Sequence, residues 1–463
     1  MKRREFLARS MATAAGFGAV SSSLNMPVQG DTGQPNIVVI VADDAGWNDL
    51  GYHGSEILTP NIDMMAKSGV QLDSFYVYPV CSPTRAALMT GRPPSRFGIN
   101  GPLQYKDGRG LPAGTVTVAE VLRRAGYDTA ICGKWHLGME PEFIPNNYGF
   151  NYSYGYVGPW IDSYTHLTTD FKDTMDGIRQ WHRNGELIDE PGHVTDLITD
   201  DAIEFITHRR DSGKPFFLYV PYSAPHVPCQ EETEWVAPYD GIIENTSRKY
   251  FAAAMTHMDD SIGRILATLR DEKIEENTLV VFFSDNGGQK GGEYSAWLVP
   301  PAKFYMSYGA TDMLGDNTPL RDWKGQLYEG GIRVPALMYH PGTLAPSKVT
   351  APMTVCDLFP TLAAYAGTEV PAAVTVEGAD VMPEVTGART GVSRTLYWKT
   401  NWAAVVRSGD WKLLHKGRRL DEGVDELYDL AHDPYEKNNI AASHPDIVKT
   451  LRDEMIRLHR DDK

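Results

Sequence analysis

Four stretches of the chain place metal-binding or proton-moving side chains directly after an apolar run. Asp43-Asp44 follows Asn36 to Ala42, and Lys134 and His136 follow Tyr127 to Cys132. His226 follows Pro215 to Pro221, and Asp285-Asn286 follows Leu279 to Ser284. Asp43, Asp44, Asp285 and Asn286 offer only oxygen donors, a set that selects a hard cation, calcium ahead of magnesium. Histidine suits proton transfer near neutral pH. Taken singly, Asp-Asp reads as a cap or turn, Asp-Asn-Gly-Gly as a tight turn, and a histidine after proline as a surface loop. The recurrence changes the reading, because open α/β sheets bind ligands beyond the carboxyl ends of their strands.

The apolar runs are β-branched and bounded by polar residues, the pattern of strands buried on both faces of a parallel sheet. Thr59-Pro60 opens a helix that Gly69 ends, and Thr117 to Glu120 reads as a capping box opening a helix to Gly126. Met353 to Gly367 reads as an amphipathic helix. Thr395 to Trp398, Trp402 to Arg407, Trp411 to His415 and Glu426 to Leu430 alternate as antiparallel strands do, with a hairpin turn at Ser408-Gly409-Asp410. Pro445 to Arg460 closes the chain as a helix. The expected division is an export signal over 1–30, a catalytic α/β domain over 34–370, a connector over 371–392 and a smaller α+β part over 393–463.

The chain has 463 residues with 60 acidic and 44 basic side chains, a net charge of −16 and 42% hydrophobic residues. That is ordinary globular composition and excludes a fibrous or disordered protein. The negative field repels nucleic acid and anionic lipid, so an anionic substrate needs a local positive cluster. Lys2-Arg3-Arg4 followed by the mildly apolar Ala8 to Val20 reads as a twin-arginine export signal. That stretch is too polar for a stable membrane span. A periplasmic or secreted protein is expected. The four cysteines, Cys81, Cys132, Cys229 and Cys356, show no paired spacing.

Cys81-Ser-Pro-Thr-Arg85 with Ala86 to Arg92 resembles the type I sulfatase motif, whose Cys-x-Pro-x-Arg core directs oxidation of the cysteine to formylglycine. Ala42-Asp-Asp-Ala-Gly-Trp-Asn-Asp, Gly133-Lys-Trp-His-Leu-Gly, Ser284-Asp-Asn-Gly-Gly-Gln and Tyr328-Glu-Gly-Gly-Ile-Arg-Val-Pro extend the resemblance from about Pro35 onward. Tyr52-His-Gly-Ser, Gly149 to Tyr156 and Ser163-Tyr-Thr-His look most like the arylsulfatase B (N-acetylgalactosamine 4-sulfatase) branch. The resemblance implies an alkaline-phosphatase-like α/β sandwich: a large, mostly parallel sheet flanked by helices, plus a C-terminal antiparallel sheet and closing helix.

It also implies a site. Calcium would be held by Asp43, Asp44, Asp285, Asn286 and an oxygen of the residue made from Cys81. A hydrated aldehyde carries two hydroxyls on one carbon, so one attacks sulfur and the other, deprotonated, expels sulfate. By resemblance Arg85 orders the formylglycine, Lys134 touches its hydroxyl and the sulfate, and His136 is the base for sulfate release. His226 and Lys324 contact sulfate and protonate or stabilise the leaving oxygen. The residue at position 81 opens a helix, whose free amides favour an anion. Three carboxylates around one dication, plus a sulfate ester, leave a charge that Lys134, Lys324, Arg85 and a protonated His226 must offset. A unit charge about 4 Å away is worth about 4 kcal/mol at an effective dielectric of about 20.

Asp322-Trp323 replaces the small residues many relatives carry before this lysine. Trp323, Trp160, Asp162 and His166, and the aromatics of the Glu293 to Gly309 stretch, are candidates for lining a sugar pocket. The expected substrate is a sulfated galactose or N-acetylgalactosamine glycan. The expected partners are a formylglycine-generating enzyme and the twin-arginine machinery, with no nucleic acid. Two rivals share the residues: a phosphate or phosphonate monoester hydrolase, and an unmodified glycan-binding protein that keeps the fold.

Overall fold

The computed structural model describes residues 33–105, 107–168, 177–209, 213–290, 314–390 and 394–463; the export-type leader and the Glu293 to Gly309 stretch lie outside them. Ten strands make the main sheet. They are β1 (Asn36–Ala42), β2 (Val70–Leu72), β3 (Asp128–Lys134), β4 (Tyr152–Tyr156), β5 (His182–Arg183), β6 (Glu186–Leu187), β7 (Phe216–Pro221), β8 (Thr278–Ser284), β9 (Ala336–Tyr339) and β10 (Ser347–Val349). Their order across the sheet is β10-β2-β9-β8-β1-β7-β3-β4-β5-β6. The five central strands from β8 to β4 run parallel, while β9 and β5 are antiparallel to their inner neighbours.

The parallel centre follows from the apolar runs, since such strands need cover on both faces. Side chains alternate between two cores. Ile37, Val39, Val41, Phe217, Val281 and Phe283 pack with α2 (Cys81–Thr90), α3 (Val118–Arg124) and α6 (Leu358–Tyr365). Val38, Ile40, Leu218, Val220, Val280 and Phe282 pack with α1 (Pro60–Ser68), α4 (Val194–Arg209) and α5 (Thr246–Asp271).

Two local expectations are corrected and one is met. Thr117 caps α3 by accepting from Glu120 N, but Glu120 does not reciprocate; its carboxylate pairs with Arg123 and Arg124. Met353 to Gly367 is not one helix: Met353–Thr354 is a short strand, and a capping box between Thr354 and Asp357 then leads into α6. Gly69 ends α1 as expected; its backbone is extended, φ −122°, and glycine is required there because a β-carbon would lie 2.4 Å from the Met338 carbonyl oxygen.

Beyond residue 394 lies a four-stranded antiparallel meander, β11 (Thr395–Lys399), β12 (Ala403–Ser408), β13 (Trp411–Lys416) and β14 (Val424–Asp429). Helix α7 (Pro445–His459) covers it through Leu451 and Met455. The sheet is tied to the large part by Lys412, whose buried ammonium lies 2.9 Å from Glu329 Oε1 and 2.7 Å from Glu436 Oε1. No helix among the described residues is long and apolar enough to cross a membrane.

Candidate active site

The parallel register sets Ala42 beside Ser284, so the residues that follow both strands share one buried space. Asp44 N points to Asp285 Oδ1 at 3.4 Å, and Asn286 Nδ2 donates to Asp44 Oδ1 at 2.7 Å. Asp44 holds a left-handed φ of 75°, which turns its carboxylate back over the strand ends. A close backbone approach seals this corner. A β-carbon on Gly287 would sit 1.8 Å from the Gly330 carbonyl oxygen, within the Tyr328-Glu-Gly-Gly segment.

Cations surround the acids. Arg85 reaches Asp285 Oδ2 from Nη2 at 2.7 Å and from Nε at 3.0 Å, and Asp43 Oδ2 from Nη2 at 3.4 Å. Its remaining nitrogen, Nη1, donates to the Lys134 carbonyl at 2.9 Å. Lys134 Nζ contacts Asp43 Oδ2, and Lys324 Nζ lies 2.6 Å from Asp44 Oδ1. Burial would raise the Asp43 pKa, but Lys134, His226, Arg85 and Lys324 overcome it and hold the carboxyl well below the usual range. Asp285 is pushed up to about 7 by burial and by the charge of Asp43.

Cys81 opens α2 among these groups. Pro83 falls in the first turn, where a missing N–H costs nothing, and Arg85 lies one turn on, on the same face. Thr84 Oγ1 brackets the turn, accepting from Tyr78 N at 2.9 Å and donating to Tyr78 O at 3.1 Å. The thiol is buried, and burial raises its pKa against the pull of Lys134 and Lys324.

His136 is buried with its pKa driven well below the usual value by burial and then Lys134. His226 departs from the expectation of a protonated group. Burial and then Lys324 bring its pKa down to about 4, so it is neutral in the resting site. Its Nδ1 is 2.6 Å from the Val227 carbonyl, which only accepts; the proton is therefore on Nδ1, and Nε2, 3.7 Å from Asp44 Oδ2, presents a lone pair.

Among the acidic and amide groups at these strand ends, Asp43 Oδ1 and Asn286 Oδ1 are buried without a hydrogen-bond partner among the described residues. Unsatisfied acceptors beside converging carboxylates fit a hard cation. Ligand atoms of Asp43, Asp44 and His226 also lie within 4.8 Å of one another, which adds an imidazole the donor pattern had not suggested.

The candidate pocket residues divide. Trp323 is 37% exposed, next to Lys324, with Lys290 Nζ 4.5 Å above its ring. Trp160, Asp162 and His166 are buried. Asp162 accepts from Tyr164 N and Thr165 N in its own turn and from Gln230 Nε2 at 2.8 Å. His166 stacks on Trp181 and reaches the Gly192 carbonyl at 3.1 Å. These contacts hold the fold together and do not join either residue to Cys81. The sequence reading passed over Leu103, whose carbonyl meets His136 Nε2 at 2.9 Å, because backbone partners leave no trace in residue type.

The sulfatase family model matches residues 35–368, and the model described as N-sulphoglucosamine sulphohydrolase, C-terminal, matches residues 322–461. The N-acetylgalactosamine-6-sulfatase of Mus musculus is 32% identical over 412 residues, covering 85% of this chain and 74% of that protein. Arylsulfatase A of Homo sapiens is 32% identical over 464 residues, covering 90% and 86%. The crystal structure of Ps i-CgsB in complex with k-i-k-neocarrahexaose superposes with a TM-score of 0.82 at 30% identity, covering 93% of this chain and 94% of the other. The large mixed sheet with its C-terminal antiparallel sheet is the alkaline-phosphatase-like architecture of these neighbours. The chain belongs to the sulfatase family, enzymes that hydrolyse sulfate esters.

Proposed function

We propose that this sulfatase is formylglycine-dependent and calcium-binding, and that it acts on a sulfated galactose or N-acetylgalactosamine glycan. The observation that carries the reading is Cys81 at the start of α2, set among the groups at the ends of four parallel strands. Cys81, once oxidised to the aldehyde and hydrated, supplies one hydroxyl to attack sulfur and a second whose deprotonation expels sulfate. Calcium held by Asp43, Asp44, Asp285, Asn286 and the residue at position 81 supplies positive charge to the sulfate oxygens.

The other residues do the positioning and the proton movement. Arg85, pinned by Asp285, Asp43 and the Lys134 carbonyl, orients the nucleophile. Lys134 and Lys324 hold the anionic sulfate; burial disfavours the Lys324 ammonium, but Asp44 outweighs it and keeps the group charged. Neutral His136 accepts the hydroxyl proton when sulfate leaves. Lys324 stabilises the leaving oxygen, and His226, neutral at rest with its lone pair on Nε2, takes up a proton there before it donates to the sulfate or the leaving oxygen. Trp323 is assigned to the sugar side of the pocket through its exposed ring, and the buried Trp160, Asp162 and His166 to the packing that supports the pocket wall.

The names of relatives support a glycan substrate: N-acetylgalactosamine-6-sulfatase among curated proteins, and a carrahexaose complex among solved structures. We assign residues 34–370 to catalysis, 371–392 to a connector and 393–463 to the smaller part. The leader assigns the protein to the periplasm or outside, with a formylglycine-generating enzyme and the twin-arginine machinery as partners. Turnover of one aryl leaving group as sulfate and as phosphate, then of sulfated galactose and galactosamine oligosaccharides, tests the reading. Preference for the sulfate and release from the galacto-configured sugars are expected; preference for phosphate overturns it.

A further inference from the structure

Strand β4 ends on Tyr156, directly beside Lys134 on β3. The two residues are paired in parallel register, and Trp135 N donates to the Tyr156 carbonyl at 2.9 Å. Paired residues of neighbouring parallel strands project from the same face, so the tyrosine side chain runs alongside the lysine that reaches Asp43. The Tyr156 ring is fully buried, yet its hydroxyl has no hydrogen-bond partner. The ionisable groups around it are Asp43, Arg85 and Cys81, and the Ser223 side chain, on the segment leading to His226, interacts with the hydroxyl without meeting the geometry of a full hydrogen bond.

A buried phenol without a partner is costly, and phenylalanine would fill the same space without that cost. The hydroxyl is therefore explained by a partner that arrives. Tyr219, a second unpartnered phenol near Arg85 and Asp285, lies two residues short of the end of β7 and in the opposite core layer, below the site rather than at its level. We propose that the Tyr156 hydroxyl donates a hydrogen bond to an oxygen of the bound sulfate group, and so is a further catalytic side chain of this enzyme. Burial, reinforced by Asp43, keeps its proton bound far above neutral pH, so toward an anion it acts as a donor. A neutral donor beside Lys134 and Lys324 adds direction to sulfate binding without adding charge. The inference rests on the sulfatase reading of the site.

The test is Tyr156→Phe in the full chain, with four measurements: formylglycine content at position 81, melting temperature, kcat and KM on an aryl sulfate, and the inhibition constant of inorganic sulfate. With wild-type modification and an unchanged or raised melting temperature, kcat/KM should fall about 10- to 100-fold, the range for loss of one hydrogen bond to a charged group. The sulfate inhibition constant should rise by a similar factor. Kinetics and sulfate inhibition within twofold of wild type overturn the proposal, whatever the melting temperature does. Failure of the sulfatase reading is separate: fully modified wild-type protein would then leave sulfate esters intact.

Discussion

His136 Nε2 lies 2.9 Å from the carbonyl oxygen of Leu103, and Leu103 N donates to Ser82 Oγ at 3.0 Å, one residue after Cys81. A carbonyl only accepts, so the ring proton is on Nε2 and Nδ1, buried and unpartnered, is a lone pair. The motif thus fixes both the nucleophile and, through one backbone unit, the tautomer of its base.

Removing that base should separate the two halves of the reaction. His136→Ala is expected to lower steady-state kcat by about 10²- to 10⁴-fold, the usual range for a general base. Alcohol release should still show a burst of one equivalent per site. Rapid-quench assay of an aryl sulfate checks this; steady turnover within tenfold of wild type, with no burst, would take His136 out of that role.

Chelation should loosen the site. Without an ion, Asp43 Oδ1 and Asn286 Oδ1 stay unsatisfied among three buried carboxylates. Calcium at about 100 times its Kd should add about 2.7 kcal/mol of stability to the stripped protein. Magnesium, which needs tighter octahedral geometry, should add less. Thermal melts with each ion decide it, and Asp43→Asn should abolish the calcium response.

Lys412 offers a test remote from the chemistry. It bridges Glu329 and Glu436, and Arg321, three residues before Lys324, is held by the Glu436 carbonyl at 2.7 Å and by Tyr428 Oη at 3.0 Å. Lys412→Met removes the cation shared by two buried carboxylates, leaving Glu436 without its ion pair and Glu329 with only Tyr76 and the more distant Arg333 and Arg407, and should cost about 3 kcal/mol. Denaturant melts measure the loss. Adding Glu329→Gln and Glu436→Gln should recover part of it, whereas no recovery would place the loss in packing.

His257 supplies a pH dependence. Its Nδ1 is 2.8 Å from Glu231 Oε2 and its Nε2 3.4 Å from Asp196 Oδ1, with Trp235 stacked on the ring. Burial opposes the charge, but the two carboxylates prevail and raise the pKa to about 9. A histidine whose pKa is raised on folding stabilises fully below its unfolded value, and that stability is lost as pH rises through the folded value. The advantage of wild type over His257→Gln should be on the order of 3 kcal/mol at pH of about 6, fall steadily between about 6.5 and 9, and be nearly gone above about 9. Urea melts across that range check it; a gap independent of pH would mean the ring acts by packing alone.

The chemistry was legible where residue type and strand end coincide. Asp43-Asp44, His226 and Asp285-Asn286 follow strands and Lys134 is the last residue of β3 with His136 just beyond it, and in an open parallel sheet that fact alone brings them together. Helix α5 escaped notice because Ala252 to Ala254 bury on every side while His257 and Asp259 interrupt the apolar stripe with buried polar groups. The Thr117 capping box was half right, since nearby arginines outcompete the backbone for Glu120. The neutral state of His226 depends on burial and on Lys324, ninety-eight positions away in sequence, which no local pattern encodes.

The account turns on what stands at position 81. Peptide mass spectrometry of active, purified protein should find an aldehyde in place of the Cys81 thiol, in proportion to specific activity across preparations of differing modification. Full activity in protein whose Cys81 is an intact thiol, or activity retained by Cys81→Ala, would contradict it.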